Sequence, residues 1–171
     1  MSRREMWSGY NPLTFSDVYD AHLYQRGRNA MTRQEIQALF ARRQEALERH
    51  DVVALAHQHA DICVMDSPTA GGPVKGRAAI ADVYQAWFTA FPDLIVRTEE
   101  PVIDGDRVAQ LATQSGTDTG GFLGLPPTGK PFRIPIVWLF TLEGQQFVHV
   151  RPIYDFTGLL LQIGLLKAKP A

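Results

Sequence analysis

The chain has a single cysteine, Cys63. No internal disulfide can form, and that usage fits a reducing compartment. No stretch approaches the roughly 20 apolar residues of a membrane span. The opening residues, MSRREMWSGYNP, lack the apolar run of a secretion signal. Charge of either sign is not in excess: 17 basic and 18 acidic residues leave a net charge of −1. Nothing in that balance suits a nucleic acid or an anionic membrane surface. Metal-ligand clusters are scarce. His57-x-His59-x-Asp61 is the nearest, but it straddles a helix end and a strand start, so its side chains need not converge. The glycine-rich stretches lack the phosphate-loop pattern, because Lys130 is not followed by a Ser or Thr opening a helix. The expectation is a cytoplasmic, soluble protein that takes no metal and has no nucleic-acid or membrane partner.

What is present is ordinary core material. Of 171 residues, 45% are hydrophobic and 20% charged, enough for one domain with an appendage. Residues 1–30 hold Trp7, Tyr10, Phe15, Tyr19 and Tyr24 among polar neighbours and are read as an N-terminal arm, leaving 31–171 as the domain. Thr32-Arg-Gln-Glu35 has capping-box spacing. Ile36, Leu39, Phe40 and Leu47 follow on one helical face. Arg33, Arg42, Arg43 and Arg49 are read as its solvated side. Asp51 starts a shorter helix to His57. Asp61 to Asp66 reads as a buried strand, and Ser67 to Pro73 as a loop. Ile80, Val83, Tyr84, Trp87, Phe88 and Phe91 recur at the spacing of an amphipathic helix that Pro92 stops.

From Leu94 the pattern turns to strands. The predicted runs are Leu94 to Ile103, Arg107 to Thr119, Phe132 to Leu142 and Gln146 to Tyr154, with turns at Asp104-Gly-Asp106 and Glu143-Gly-Gln145. A short helix closes the chain. This order predicts an α+β layer, a curved antiparallel sheet roofed by N-terminal helices. Such a roof encloses a cone-shaped apolar cavity suited to a hydrophobic small molecule. Tyr84, Trp87, Phe88, Phe122 and Trp138 are its candidate lining, with plain core packing as the other reading of each.

Residues 116–130 read GTDTGGFLGLPPTGK. This stretch resembles the signature of SnoaL-like polyketide cyclases, a branch of the NTF2-like superfamily, which usually has histidine where Asp118 stands. The likeness continues through Val137-Trp138-Leu-Phe140 and Asp155-x-x-Gly158-Leu-Leu-x-Gln162. Upstream, Asp66-Ser-Pro68 and Gly76-Arg77-x-Ala-Ile80 also fit. It covers about residues 32–166. It implies an NTF2-like cone, usually a homodimer through the sheet. The implied reaction is a cofactor-independent aldol ring closure using a carboxylate base and a donor for the enolate oxygen. Relatives, the limonene-epoxide hydrolases among them, keep a carboxylate three positions before the acid matching Asp155. Here that position is Pro152, which cannot ionise and predicts an edge or a bulge in its strand.

Four residues remain as candidates for chemistry. Asp66 ends a strand beside the expected pocket and is read as a base with a raised pKa, or as a turn initiator. Asp118 is a relocated acid, or a surface acid that is solvated or bonded to threonine. Tyr154 would share the inward side with Val150 and Pro152 and donate to a ligand oxygen. Asp155 is a pocket acid or, as the favoured reading, the N-cap of the last helix. Two further functions stay open: a non-catalytic binding protein that keeps the cavity, and an epoxide hydrolase.

Overall fold

The computed structural model describes residues 31–167. The arm read into residues 1–30 lies outside the described residues. Helix α1 (Arg33–Glu48) starts on a complete capping box: Thr32 accepts from the Glu35 amide, and the Glu35 carboxylate returns to the Thr32 amide. Helix α2 (Val52–His57) follows its cap, Asp51, whose carboxylate accepts from the Ala54 amide at 2.9 Å. Strand β1 (His59–Ser67) turns into β2 (Gly72–Lys75). The predicted loop over 67–73 is therefore mostly a hairpin. Helix α3 (Arg77–Ala90) carries the aromatic stripe.

The predicted strand over 94–103 is two strands, β3 (Ile95–Thr98) and β4 (Val102–Asp104). Pro101 has no amide hydrogen to donate, so the ladder breaks between them. Strands β5 (Arg107–Thr117), β6 (Pro131–Glu143) and β7 (Gln146–Tyr154) and helix α4 (Phe156–Gln162) complete the chain.

The sheet runs β2-β1-β7-β6-β5-β3, with β4 also on β5. The expected antiparallel pairing holds except between β1 and β7, which are parallel. The first strand and the last are joined by the whole length of the chain between them, so no hairpin forces them to run opposite ways. Strand β6 alternates cleanly, burying Phe132, Ile134, Ile136, Trp138, Phe140 and Leu142. Those side chains define the inner face, where α1 and α3 pack. Phe40 of α1 meets the Phe140 ring edge-on at 5.0 Å, and Phe91, the C-cap of α3, meets Phe132 at 4.6 Å. Each buried ring contributes roughly 1.5–3 kcal/mol by leaving water.

Strand β7 carries a bulge. Leu142 pairs with Phe147 and Thr141 with His149, which leaves Val148 as an extra residue. The inward parity therefore switches from Phe147 to Val150, Pro152 and Tyr154. Pro152 sits inside the sheet opposite Trp138, not at the bulge. Its missing amide hydrogen is tolerated because the pairing to β1 ends at Val150.

One expectation about α1 is overturned. Arg43 is fully buried rather than solvated. It stands three residues after Phe40 and four before Leu47, on the buried stripe of the helix.

Candidate functional site

Between the two main helices and the inner face of the sheet lies a narrow cavity. Its walls are Leu47, Met65, Ser67, Val83, Tyr84, Trp87, Phe88, Leu94, Val96, Gln114, Ile136, Trp138, Pro152 and Tyr154. Empty space between them amounts to about 540 Å³ with the mouth included.

The lining is apolar with a few polar atoms. Trp87 touches Tyr154 edge-on at 5.8 Å. The Tyr154 hydroxyl and the Gln114 Oε1 are buried and have no hydrogen-bond partner among the described residues. Burial pushes the Tyr154 phenol up to about 12, so it remains a donor at neutral pH. The Thr69 hydroxyl lies near enough to oppose that shift in part, though its own bond is to Ser67 Oγ at 2.9 Å. An unpaired donor and an unpaired acceptor in an apolar slot each cost free energy until a guest satisfies them.

Behind Tyr84 is a buried polar cluster. Arg43 Nη1 donates to the Tyr84 hydroxyl at 2.9 Å, and His59 Nε2 lies 3.5 Å from that oxygen. His59 Nδ1 is 2.9 Å from the Leu55 carbonyl. A carbonyl only accepts, so Nδ1 carries the hydrogen and Nε2 is an acceptor. Burial, with the Arg43 charge second, lowers the His59 pKa to about 4.

The expected acids are elsewhere. Met65 and Ser67 line the cavity, so strand alternation turns Asp66 to the opposite face. There it accepts from Arg151 Nε and His149 Nε2, both at 3.0 Å. The Arg151 hydrogen bond, ahead of the partial burial that opposes it, holds the Asp66 pKa below the ordinary carboxylate value. The raised pKa expected of it is wrong, because its neighbours are the Arg151 guanidinium and the hydrogen-bonding His149 ring, not an apolar wall. Asp118 is fully buried. It is committed to the loop it starts, accepting from the Gly121 and Thr128 amides and the Thr128 hydroxyl. Asp155 caps α4, accepting from the Gly158 amide at 2.7 Å. Asp155→Ala is expected to cost about 1 kcal/mol, read as a lower thermal midpoint with ligand binding intact. An unchanged melt with binding lost would make Asp155 part of the site.

Of the five candidate lining residues, Tyr84, Trp87, Phe88 and Trp138 stand at the cavity. Phe122 does not. It is buried against Trp87 and Phe91, at centroid distances of 5.2 and 5.0 Å, and belongs to the core. His57 and Asp61 line a separate, shallower hollow between α2 and α3, where Arg77 pairs with Asp61 at 3.3 Å. His59 points into the core instead. Sequence reasoning missed Arg43, His59 and Gln114. Arg43 was signalled by its helical spacing, and Gln114 by its parity with Val108 and Ala112 on β5.

Residues 37–163 match the profile of the SnoaL-like polyketide cyclase family. No curated protein matches. Among solved structures, TsrD from Streptomyces laurentii is similar with a TM-score of 0.70 and 24% identity, over 80% of this chain and 99% of its own. IdmH from Streptomyces antibioticus, a candidate polyketide cyclase, has a TM-score of 0.63 and 27% identity, over 74% and 96%. An NTF2-like protein from Burkholderia pseudomallei has a TM-score of 0.65 and 15% identity, over 78% and 98%.

Proposed function

The chain belongs to the SnoaL-like polyketide cyclase family, and from that premise we propose that it takes a hydrophobic, oxygenated small molecule of the polyketide kind into the cavity. Tyr154 donates to an oxygen of that guest and Gln114 Oε1 accepts from a guest hydroxyl, so its polar contacts come from neutral groups rather than from a carboxylate. One observation carries this reading: the slot is aromatic, its unpaired polar atoms are a phenol and an amide oxygen, and among the described residues no acid lines it.

An aldol ring closure has three needs: a folded chain, a donor for the enolate oxygen and a base for the carbon acid. The slot supplies the first by its shape and Tyr154 supplies the second. A C–H between two carbonyls is acidic enough to exchange with water, so solvent can take the third part. The protein then acts as a template that selects one folding of a reactive guest. Carboxylate catalysis finds less support, because Asp66, Asp118 and Asp155 each hold other partners.

Trp87 and Trp138 stand in the wall, so an aromatic guest should quench their fluorescence. The expected result is that 2-naphthol binds, and that Tyr154→Phe weakens it roughly fivefold to tenfold, the size of one lost hydrogen bond. Naphthalene should bind the two proteins equally. Absence of quenching by either compound would sink the cavity reading. Turnover of a poly-ketone substrate that vanishes in Asp66→Asn would sink the carboxylate-free one.

A further inference from the structure

The cavity is backed by an unneutralised charge. Arg43 is fully buried. Its Nη1 bonds Tyr84, while Nε and Nη2 have no hydrogen-bond partner among the described residues. Among the described residues no carboxylate accompanies it there; Asp61 pairs with Arg77, and Asp66 with His149 and Arg151. The guanidinium lies instead 5.7, 5.3, 5.1 and 5.9 Å from the ring centroids of Tyr84, Trp138, Phe140 and Phe147. Arginine does not lose its proton in proteins, so the charge stays. Ring faces and one hydroxyl recover only part of the cost of taking it out of water. An anion nearby would recover more.

Two of the four rings, Tyr84 and Trp138, are cavity walls. A guest stacked on the far side of Trp138 would sit one ring beyond the guanidinium, roughly 9 Å away. The remaining polar groups of the wall are hydroxyls, the indole N–H groups of Trp87 and Trp138, and an amide, and none brings a negative charge. We propose that Arg43 biases the guest of this cavity towards its anionic form, an enolate or a phenolate, against the desolvation that the apolar walls impose. This rests on the cavity being the ligand site. At that separation and an effective dielectric constant of about 20, the charge favours the anion over its neutral form on the order of tenfold. The same field is among the forces that keep the neighbouring His59 uncharged.

The probe is 4-nitrophenol, whose visible absorbance reports its ionisation, with nitrobenzene as its neutral counterpart. Bound to the wild type, 4-nitrophenol should titrate about one pH unit below its value when bound to Arg43→Met, a comparison in which desolvation by the apolar walls cancels. Nitrobenzene, which carries no charge, should bind the two proteins equally. Replacing a buried charge with a methionine of similar length should leave the fold as stable or more so. Equal titration of 4-nitrophenol bound to the two proteins overturns the proposal. A higher pKa on the wild type than on Arg43→Met also overturns it. If nitrobenzene itself fails to bind, the cavity reading falls first and takes this inference with it.

Discussion

Asp118→Ala is expected to lower the unfolding free energy by about 3–4 kcal/mol, because that carboxylate clamps the loop between β5 and β6. The side chain is fully buried. Its Oδ1 accepts from the Gly121 amide at 3.1 Å, and its Oδ2 from the Thr128 amide at 3.0 Å and the Thr128 hydroxyl at 2.9 Å. Its backbone bonds Lys130 and Gly129 across the same loop. Removing it orphans donors worth roughly 1–3 kcal/mol apiece when left unpaired, and shared relaxation keeps their sum below full additivity.

The damage should spread to α3. Gly120 donates to the Ala90 carbonyl at 3.0 Å, and any side chain at Gly120 would collide with the Thr89 carbonyl. The loop thus seats directly on the end of α3, with Phe122 driven into the ring cluster beside it. Asp118→Asn keeps one acceptor oxygen and should lose about half as much. Urea denaturation checks both. An alanine variant within about 1 kcal/mol of the wild type would rule out the clamp. The asparagine variant should keep 2-naphthol affinity; a protein that folds but no longer binds would return Asp118 to the site.

The helices were legible because their signals are local. The capping box at Thr32, the aromatic stripe ended by Pro92 and the Asp155 cap each depend on residues within a few positions. The alternation of β6 is equally local. Arg43 was misread for a different reason. Its spacing from Ile36, Phe40 and Leu47 placed it on the buried stripe, and its charge argued the other way. The rings that hold it come from α3, β6 and β7, far along the chain. Only the tertiary fold decides such a conflict.

Asp66 failed on parity. Ile62 and Val64 are as apolar as Cys63 and Met65, so hydropathy left the buried side of β1 undecided. The structure buries Cys63 and Met65 and leaves Ile62 78% exposed, which sends Asp66 outward. The bulge at Val148 and the parallel β1–β7 pair depend on contacts across the sheet that no short window contains. The cavity's chemistry was legible in part: its rings and Tyr154 follow from periodicity, whereas its lack of a carboxylate follows from where three acids find other partners.

Acidification from pH 7 to pH 4 is expected to cost the wild type about 3 kcal/mol through His59 alone. The imidazole is fully buried, and burial, the largest cause, brings its pKa from 6.5 to about 4, with the Arg43 charge adding to the effect. The direction follows from which state binds the proton. Below pH 6.5 the unfolded chain protonates this histidine and the folded one does not, so protons favour unfolding. The stabilisation is complete above pH 6.5 and drains away as the pH falls towards 4, where the folded imidazole begins to protonate as well. At 1.36 kcal/mol for each pKa unit the loss comes to about 3 kcal/mol.

His59→Gln removes the titration while leaving a side chain that can still donate to the Leu55 carbonyl. Its stability should therefore fall less steeply between pH 7 and pH 4, and the two curves should differ by about 3 kcal/mol across that window. Asp66 and Asp93 also have pKa values below the ordinary carboxylate range. Both proteins retain them, so their acid losses cancel in the comparison. Denaturant titrations of the two proteins at matched pH values make the test. Parallel curves would mean that His59 is solvated or charged in the folded protein, and the cluster behind Tyr84 would then have to hold two cations instead of one.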